Sequence, residues 1–325
     1  MIEVVDPGLE TTIQDWPGRY GFWNKGFPVS GPMDSWSMRL ANVLVGNQPG
    51  VAALEAQFLG PTLKFQLDTV IAVCGANMRA KLDGEPLELW QSHQVLAGQV
   101  LKMTAAISGA RAYIAIAGGI DNKIVLGSRS TFSKAGVGGI DGGALKAGQI
   151  LPVIPAEGTA GMIVPEASRP KFSKTRIWSV EVCAGPNDDW IDKAGQERFF
   201  SADWTLSAKS DRTGFRLEGP EWSFTPKAIN KPAEHGALPS NIIDHGYPMG
   251  AINLAGQTPI ILVNDGPSMG GFINPYTVPT ASFWKLGQAR PGEILSFQKI
   301  SVSGAQNKAA DLKQLCSQET LLKMN

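Results

Sequence analysis

Short apolar runs alternate with turn residues along most of this chain. Runs at 62–67, 69–74, 95–103, 111–117, 178–183, 259–264 and 294–298 are rich in aliphatic and β-branched residues and are bounded by glycine, proline, asparagine or aspartate, the pattern of short strands. It predicts a mainly β chain with a few short helices. Residues 35–45 break the alternation, because Trp36, Leu40, Val43 and Leu44 recur at helical spacing, with Asp34 placed to cap the start and Gly46 to end it. A second helix, carrying Trp190, Ala194 and Glu197, is expected after a cap at Asn187 or Asp188. Beyond Val302, Leu312, Leu315, Cys316 and Leu322 form an apolar stripe, which predicts a terminal helix docked on its own domain.

The chain also repeats a phrase. Arg19-Tyr20-Gly21-Phe22 leads to Gly31-Pro32, and Arg212-Thr213-Gly214-Phe215 leads to Gly219-Pro220. A β-like opening and a turn precede each copy, Ile2-Glu3-Val4-Val5 before Asp6-Pro7-Gly8 and Val180-Glu181-Val182-Cys183 before Ala184-Gly185-Pro186. A similar strand closes each, at Gly148-Gln149-Ile150-Leu151 and Gly292-Glu293-Ile294-Leu295. The offsets drift, so the reading is two diverged copies of one domain rather than an array. Prolines at 152, 155, 165 and 170 mark a linker. The expected layout is a β-barrel-like domain at 1–155, a linker at 156–175, a second barrel at 176–302 and a helical tail at 303–325.

Composition narrows the function. A chain of 325 residues with 43% hydrophobic residues can bury two cores, and 29 basic against 29 acidic residues leave no net field to gather nucleic acid or an anionic membrane. The expected partner is a small molecule or another protein. The three cysteines, Cys74, Cys183 and Cys316, are far apart with no C-x-x-C pair, which argues against a disulfide framework or a structural zinc and for a reducing compartment. The opening residues lack the basic and apolar regions of a signal peptide, and no run has the length of a membrane-spanning helix. The reading is a cytoplasmic protein.

Three motifs invite chemistry. Gly266-Pro267-Ser268-Met269-Gly270 fits G-x-S-x-G, but Gly270, Gly271 and Pro275 disfavour the helix that a nucleophile elbow requires, and His93, His235 and His245 all precede the serine. A glycine-rich turn whose N–H groups point at a ligand anion is the better expectation. The stretch 136–143 is glycine-rich without a phosphate-loop spacing and is read as a mobile loop. Scattered histidines give no metal-binding pattern, so no metal is expected. Polar residues crowd 14–19, 127–132 and the surroundings of Ser268, where Asn241 and Asp265 suit a planar polar ligand.

Read in order, Thr11-Thr12-Ile13-Gln14-Asp15, Pro17-Gly18-Arg19, Ser30-Gly31-Pro32-Met33-Asp34, Arg39-Leu40-Ala41-Asn42 and Leu44-Val45-Gly46-Asn47 resemble the opening of the biotin-dependent carboxyltransferase family. That family includes the carboxyltransferase region of urea carboxylase (urea amidolyase), allophanate hydrolase subunit 2, the C-type subunit of 5-oxoprolinase and the Kip-inhibitor antagonist. Gly127-Ser128-Arg129-Ser130-Thr131-Phe132, Asp211-Arg212 through Leu217-Glu218-Gly219-Pro220, and Pro239-Ser240-Asn241 resemble its later segments. Residues 265–272 resemble the urea carboxylase branch. The resemblance spans about residues 1–300.

The resemblance implies two cyclophilin-like β-barrel domains. It implies carboxybiotin delivered by a partner, because the chain has no Ala-Met-Lys-Met attachment site. Expected partners are a homologous carboxyltransferase subunit, a biotin carboxylase with its biotin carrier protein, and a urea-like amide substrate. Such a transfer needs positive charge or N–H donors where charge develops, and a group to take a proton from the attacking nitrogen. The candidates are Arg129 or Arg212 with Gly270 and Gly271 for the anion, Asp265 or Asp211 for the proton, and Asn241, Gln14 and Ser268 for the substrate. An ATP-dependent 5-oxoprolinase subunit and a non-catalytic Kip-inhibitor antagonist are the rival readings.

Overall fold

A computed structural model describes residues 1–323, which fold into two compact units. The first comprises Met1–Phe22, Val29–Phe172 and residues 311–323, and the second comprises Trp23–Pro28 and Ser173–Ala310. The chain is mainly β. Residues 156–172, expected as a linker, fold with the first unit, where Met162–Ile163 pairs with Leu322–Lys323.

Two antiparallel sheets build the first unit. One runs in the order Ile150–Leu151, Ile2–Asp6, Thr62–Phe65, Val100–Lys102, Lys81–Leu82, Glu85–Pro86, the other Glu10–Gln14, Ala53–Gln57, Ser108–Ile116, Thr69–Asn77, Ser92–Val95. Because side chains alternate along a strand, Ile2, Val4, Leu63 and Phe65 of one sheet meet Ile13, Leu54, Ile71, Val73 and Ile114 of the other in a single core. The remaining face of the second sheet is covered by the helix Ser35–Leu44, whose Met38, Leu40, Ala41 and Leu44 pack on Ala72, Cys74, Tyr113 and Ala115. Both faces of Thr69–Asn77 are therefore buried, which is why that strand reads as an unbroken apolar run. Asp34 caps the helix as its sequence predicts: Oδ1 accepts from the Ser37 N–H at 3.0 Å and Oδ2 from Ser37 Oγ at 2.5 Å.

The second unit is a closed barrel of seven strands, in the order Ile177–Ala184, Tyr276–Thr277, Ala251–Ala255, Thr258–Leu262, Gly214–Glu218, Trp204–Leu206, Ile294–Lys299. Parallel pairing of the first and last strands closes it, with Ile177 opposite Ile294. Its aromatic core centres on Phe199, stacked on Tyr276 at 4.5 Å and on Phe297 at 4.6 Å, with Trp204 and Trp222 beside it. Phe199 is carried by the helix Lys193–Ser201, which Asp192 caps through Gly195 N–H at 2.7 Å. Asn187 instead precedes a single 3-10 turn, Asp188–Trp190, so the expected cap and the placement of Trp190 in the helix are corrected.

Two further expectations change. The second copy of the repeated phrase is the barrel strand Gly214–Glu218, whereas the first runs through turns into the 3-10 helix Trp23–Lys25, so the echo is not one structure used twice. The terminal helix Val302–Leu315 exists, but Leu312 and Cys316 of its stripe join the core of the first unit and not the expected core of the second.

Within the second unit, Glu181 accepts from Lys285 Nζ and Ser282 Oγ, each at 2.7 Å, and from Lys308 Nζ. Burial pushes the Glu181 carboxyl up, but the bonds from Lys285, Lys308 and Ser282 together outweigh it and hold the group at about 2. Its contribution is therefore complete above the usual carboxylate value of about 4.3 and is lost as pH falls toward about 2. Glu181→Gln should flatten the pH dependence of the urea-unfolding midpoint in that window. An unaltered acid limb would show that this cluster does not contribute.

Candidate active site

Each unit holds a cluster of buried polar groups. In the first, the Asp15 carboxylate gathers the segment 127–132: Oδ1 accepts from Ser128 Oγ and Ser130 Oγ, each at 2.5 Å, and Oδ2 from the Arg129 N–H at 2.7 Å. Thr131 bonds Ile13 O through its N–H and Oγ1 at 2.9 and 3.0 Å. Arg19, fully buried, donates to Ser130 O at 2.7 Å and to Val125 O at 3.2 Å. Gly138 lies so close that a Cβ there would stand 1.9 Å from Ser130 O. The glycine stretch expected to be a mobile loop is thus packed against this segment.

The two candidates of the first unit meet at this segment. Gln14 is fully buried, its Nε2 donating to Thr12 Oγ1 at 3.0 Å and Thr131 O at 3.3 Å, while its Oε1 has no hydrogen-bond partner among the described residues. Arg129 turns its side chain to Asp121, with Nη2 to Oδ1 at 3.2 Å, and to Asn122 O. Its guanidinium is spent within its own loop.

In the second unit Arg212 and Asp265 form a buried ion pair, Nε to Oδ2 at 2.9 Å, and the Asp265 N–H donates to Arg212 O at 2.8 Å. The other oxygen, Oδ1, is buried and has no hydrogen-bond partner among the described residues. Asp211 is exposed and serves as a turn cap, accepting from Thr213 N–H at 2.7 Å and Gly214 N–H at 3.3 Å. Adjacent in sequence, Asp211 and Arg212 have opposite surroundings.

Asn241, Gly270 and Gly271 come together in a two-stranded ribbon, Asn241–Gly246 against Met269–Phe272. The expected glycine turn at 270 and 271 is therefore strand, and neither glycine has positive φ. They are needed for space: a Cβ on Gly270 would stand 2.9 Å from Tyr247 Cε2, and one on Gly271 3.0 Å from Asp244 Oδ1. Asn241 Oδ1 accepts from Leu238 N–H at 3.0 Å, and Ser268 Oγ lies 3.4 Å from Trp23 O. Ser268 leads into a strand, which removes the nucleophile-elbow geometry.

Sequence reasoning missed Tyr247 and passed over His245. The Tyr247 hydroxyl accepts from Phe272 N–H at 2.6 Å and donates to Phe272 O at 3.1 Å, and His245 Nε2 lies 3.0 Å from the same carbonyl. The rings meet edge to face at 5.0 Å. Burial pushes the Tyr247 phenol up, the Phe272 bond opposes this, and the nearby Asp244 charge adds to it. The signal was there only as Tyr247 following a β-like run; its role depends on the strand opposite. Among the described residues no cluster of His, Cys, Asp and Glu could hold a metal ion.

The chain is thus mainly β, in two units, each with a buried polar cluster. The chain belongs to the family described as "Carboxyltransferase domain, subdomain A and B", whose model matches residues 25–299. It is 40% identical over 314 residues to urea amidolyase of Saccharomyces cerevisiae, covering 94% of this chain and 17% of that protein. It is 32% identical over 321 residues to the C-type 5-oxoprolinase subunit of Escherichia coli, covering 98% of this chain and 97% of that one. The crystal structure of the Kluyveromyces lactis urea carboxylase superposes with a TM-score of 0.92 at 36% identity, over all of this chain and 30% of that one. The chain spans about a sixth of the length of the yeast urea amidolyase it matches.

Tyr247→Phe would remove both bonds to Phe272 and should destabilise the chain by about 1–3 kcal/mol, read as a lower urea-unfolding midpoint. An unchanged midpoint would mean that the ribbon does not depend on this hydroxyl.

Proposed function

We propose that this chain is the carboxyltransferase subunit of a biotin-dependent urea, or related amide, carboxylase. The observation that carries the reading is the Arg212–Asp265 pair: one carboxylate oxygen is fixed by Arg212, while Oδ1 is buried and without a partner among the described residues. A buried acceptor left open suits the N–H of an amide, since leaving such a group unsatisfied costs about 1–3 kcal/mol. The higher identity to fungal urea amidolyases than to 5-oxoprolinase subunits supports the urea branch.

Carboxybiotin, brought by a partner, would supply the carboxyl group taken up by the urea nitrogen. The proton released by that nitrogen must end on the departing biotin. Asp265 Oδ1 accepts it from the substrate and returns it, so the carboxylate is unchanged over the cycle. Arg212 holds and orients the Asp265 carboxylate through its Nε, and Asp211 holds the turn from which Arg212 projects. Asn241 is the proposed amide contact in the second unit, and Gln14, with an open buried Oε1, is a separate amide-binding candidate of the first. Gly270 and Gly271 shape the ribbon, and Ser268 lies at its start. Arg129, bound to Asp121 and Asn122, takes a positioning role for the segment 127–132.

The test reconstitutes the chain with a biotin carboxylase, a biotinylated carrier and a homologous carboxyltransferase subunit, and measures urea-dependent ATP turnover. Asp265→Asn should lower turnover at least about 100-fold with the fold retained, and Asp211→Ala should lower it less than about tenfold, the effect of a lost cap of roughly 1 kcal/mol. Full activity in Asp265→Asn would remove Asp265 from the chemistry. Turnover with 5-oxoproline but not urea would favour the oxoprolinase reading.

A further inference from the structure

Arg39 lies in the helix Ser35–Leu44 of the first unit and is 5% exposed. Its guanidinium carbon stands 4.4 Å from the centroid of the Trp16 ring. Among the described residues it forms no ion pair, and its Nε is buried without an acceptor. Acids of the same region are committed elsewhere. Asp34 accepts from Ser37 N–H and Oγ, and Glu55 accepts from Met33 N–H and Tyr113 OH and faces Arg111 at 3.7 Å.

A guanidinium carries a positive charge and five N–H donors, and taking it out of water without a counter-charge is strongly unfavourable. The indole face offsets only part of that and satisfies none of the N–H donors. Charge and donors are both left over. With the guanidinium carbon over the Trp16 ring, the N–H donors still point outward in the guanidinium plane, where a planar group with two oxygens fits best. Trp16 itself is 37% exposed and offers a flat apolar wall at the approach.

We propose that Arg39 and Trp16 form a binding site for a carboxylate-type oxyanion, either bicarbonate or the carboxylate of a small organic acid. Neither residue belongs to the Arg212–Asp265 pair, so the site stands or falls apart from the carboxyl-transfer reading.

Thermal unfolding of the full chain in bicarbonate, acetate or phosphate, against chloride at matched ionic strength, tests it. Bicarbonate or acetate should raise the midpoint by roughly 5–10 °C at about 100-fold excess over Kd, and Arg39→Met should abolish the rise. A rise with bicarbonate alone assigns the free ion, and one with acetate assigns an organic carboxylate. Arg39→Lys, which keeps the charge and loses the planar fork, should weaken binding at least about tenfold. Equal shifts in wild type and Arg39→Met, a shift with phosphate alone, or no shift would overturn the proposal. Should Arg39→Met fail to fold, the Nε–H resonances of 15N-arginine-labelled wild type serve instead: one must move on titration with bicarbonate or acetate, and none moving rejects the site.

Discussion

A guanidinium withdrawn from water must be given acceptors, and this chain withdraws several. Each answer fixes segments far apart in sequence. Arg19 reaches backbone oxygens of Val125 and Ser130, and so joins the loop after Glu10–Gln14 to the segment that Asp15 gathers. Arg111 is answered by Glu55 and by Gln57 Oε1 at 2.7 Å across neighbouring strands. Arg212 is answered by Asp265, which links the entry to the strand Gly214–Glu218 with the exit from Thr258–Leu262. Breaking such a pair by removing one partner costs about 3–5 kcal/mol, because a lone buried charge remains. The polar clusters of both units are organised by this requirement before any ligand is considered.

What was legible in the sequence was local. The helix at 35–44 could be read because its cap, its apolar spacing and its terminal glycine lie within a dozen residues, and all three operate as expected. The second helix was misplaced at its start because Asn187, Asp188 and Asp192 offer similar capping chemistry, and only packing of Phe199 among Tyr276 and Phe297 selects Asp192. Barrel closure joins strands at opposite ends of the second unit, a pairing that no window along the chain reveals.

The candidate site was legible as a set of segments and not as roles. Asp211 and Arg212 are neighbours in sequence, yet one caps an exposed turn and the other is buried against Asp265. Gly270 and Gly271 suggested backbone freedom, which is the common reason for paired glycines. Here the reason is the Tyr247 ring and the Asp244 carboxylate beside them. A glycine chosen for what it leaves out cannot be told from one chosen for its φ until the neighbour is seen. The same dependence on a facing strand hid Tyr247 and His245.

Tyr247 carries a wider consequence. The ribbon formed by Asn241–Gly246 and Met269–Phe272 is short, and its pairing shifts between Asn241 and His245. Such a ribbon is prone to slide by a residue, which would turn every side chain to the opposite face. Because one hydroxyl engages both the N–H and the carbonyl of Phe272, the alignment is locked by a side chain where the ladder alone is too sparse to hold it. The ribbon behaves less like a piece of sheet than like a latch, with the Tyr247 hydroxyl and the His245 ring both closing on Phe272.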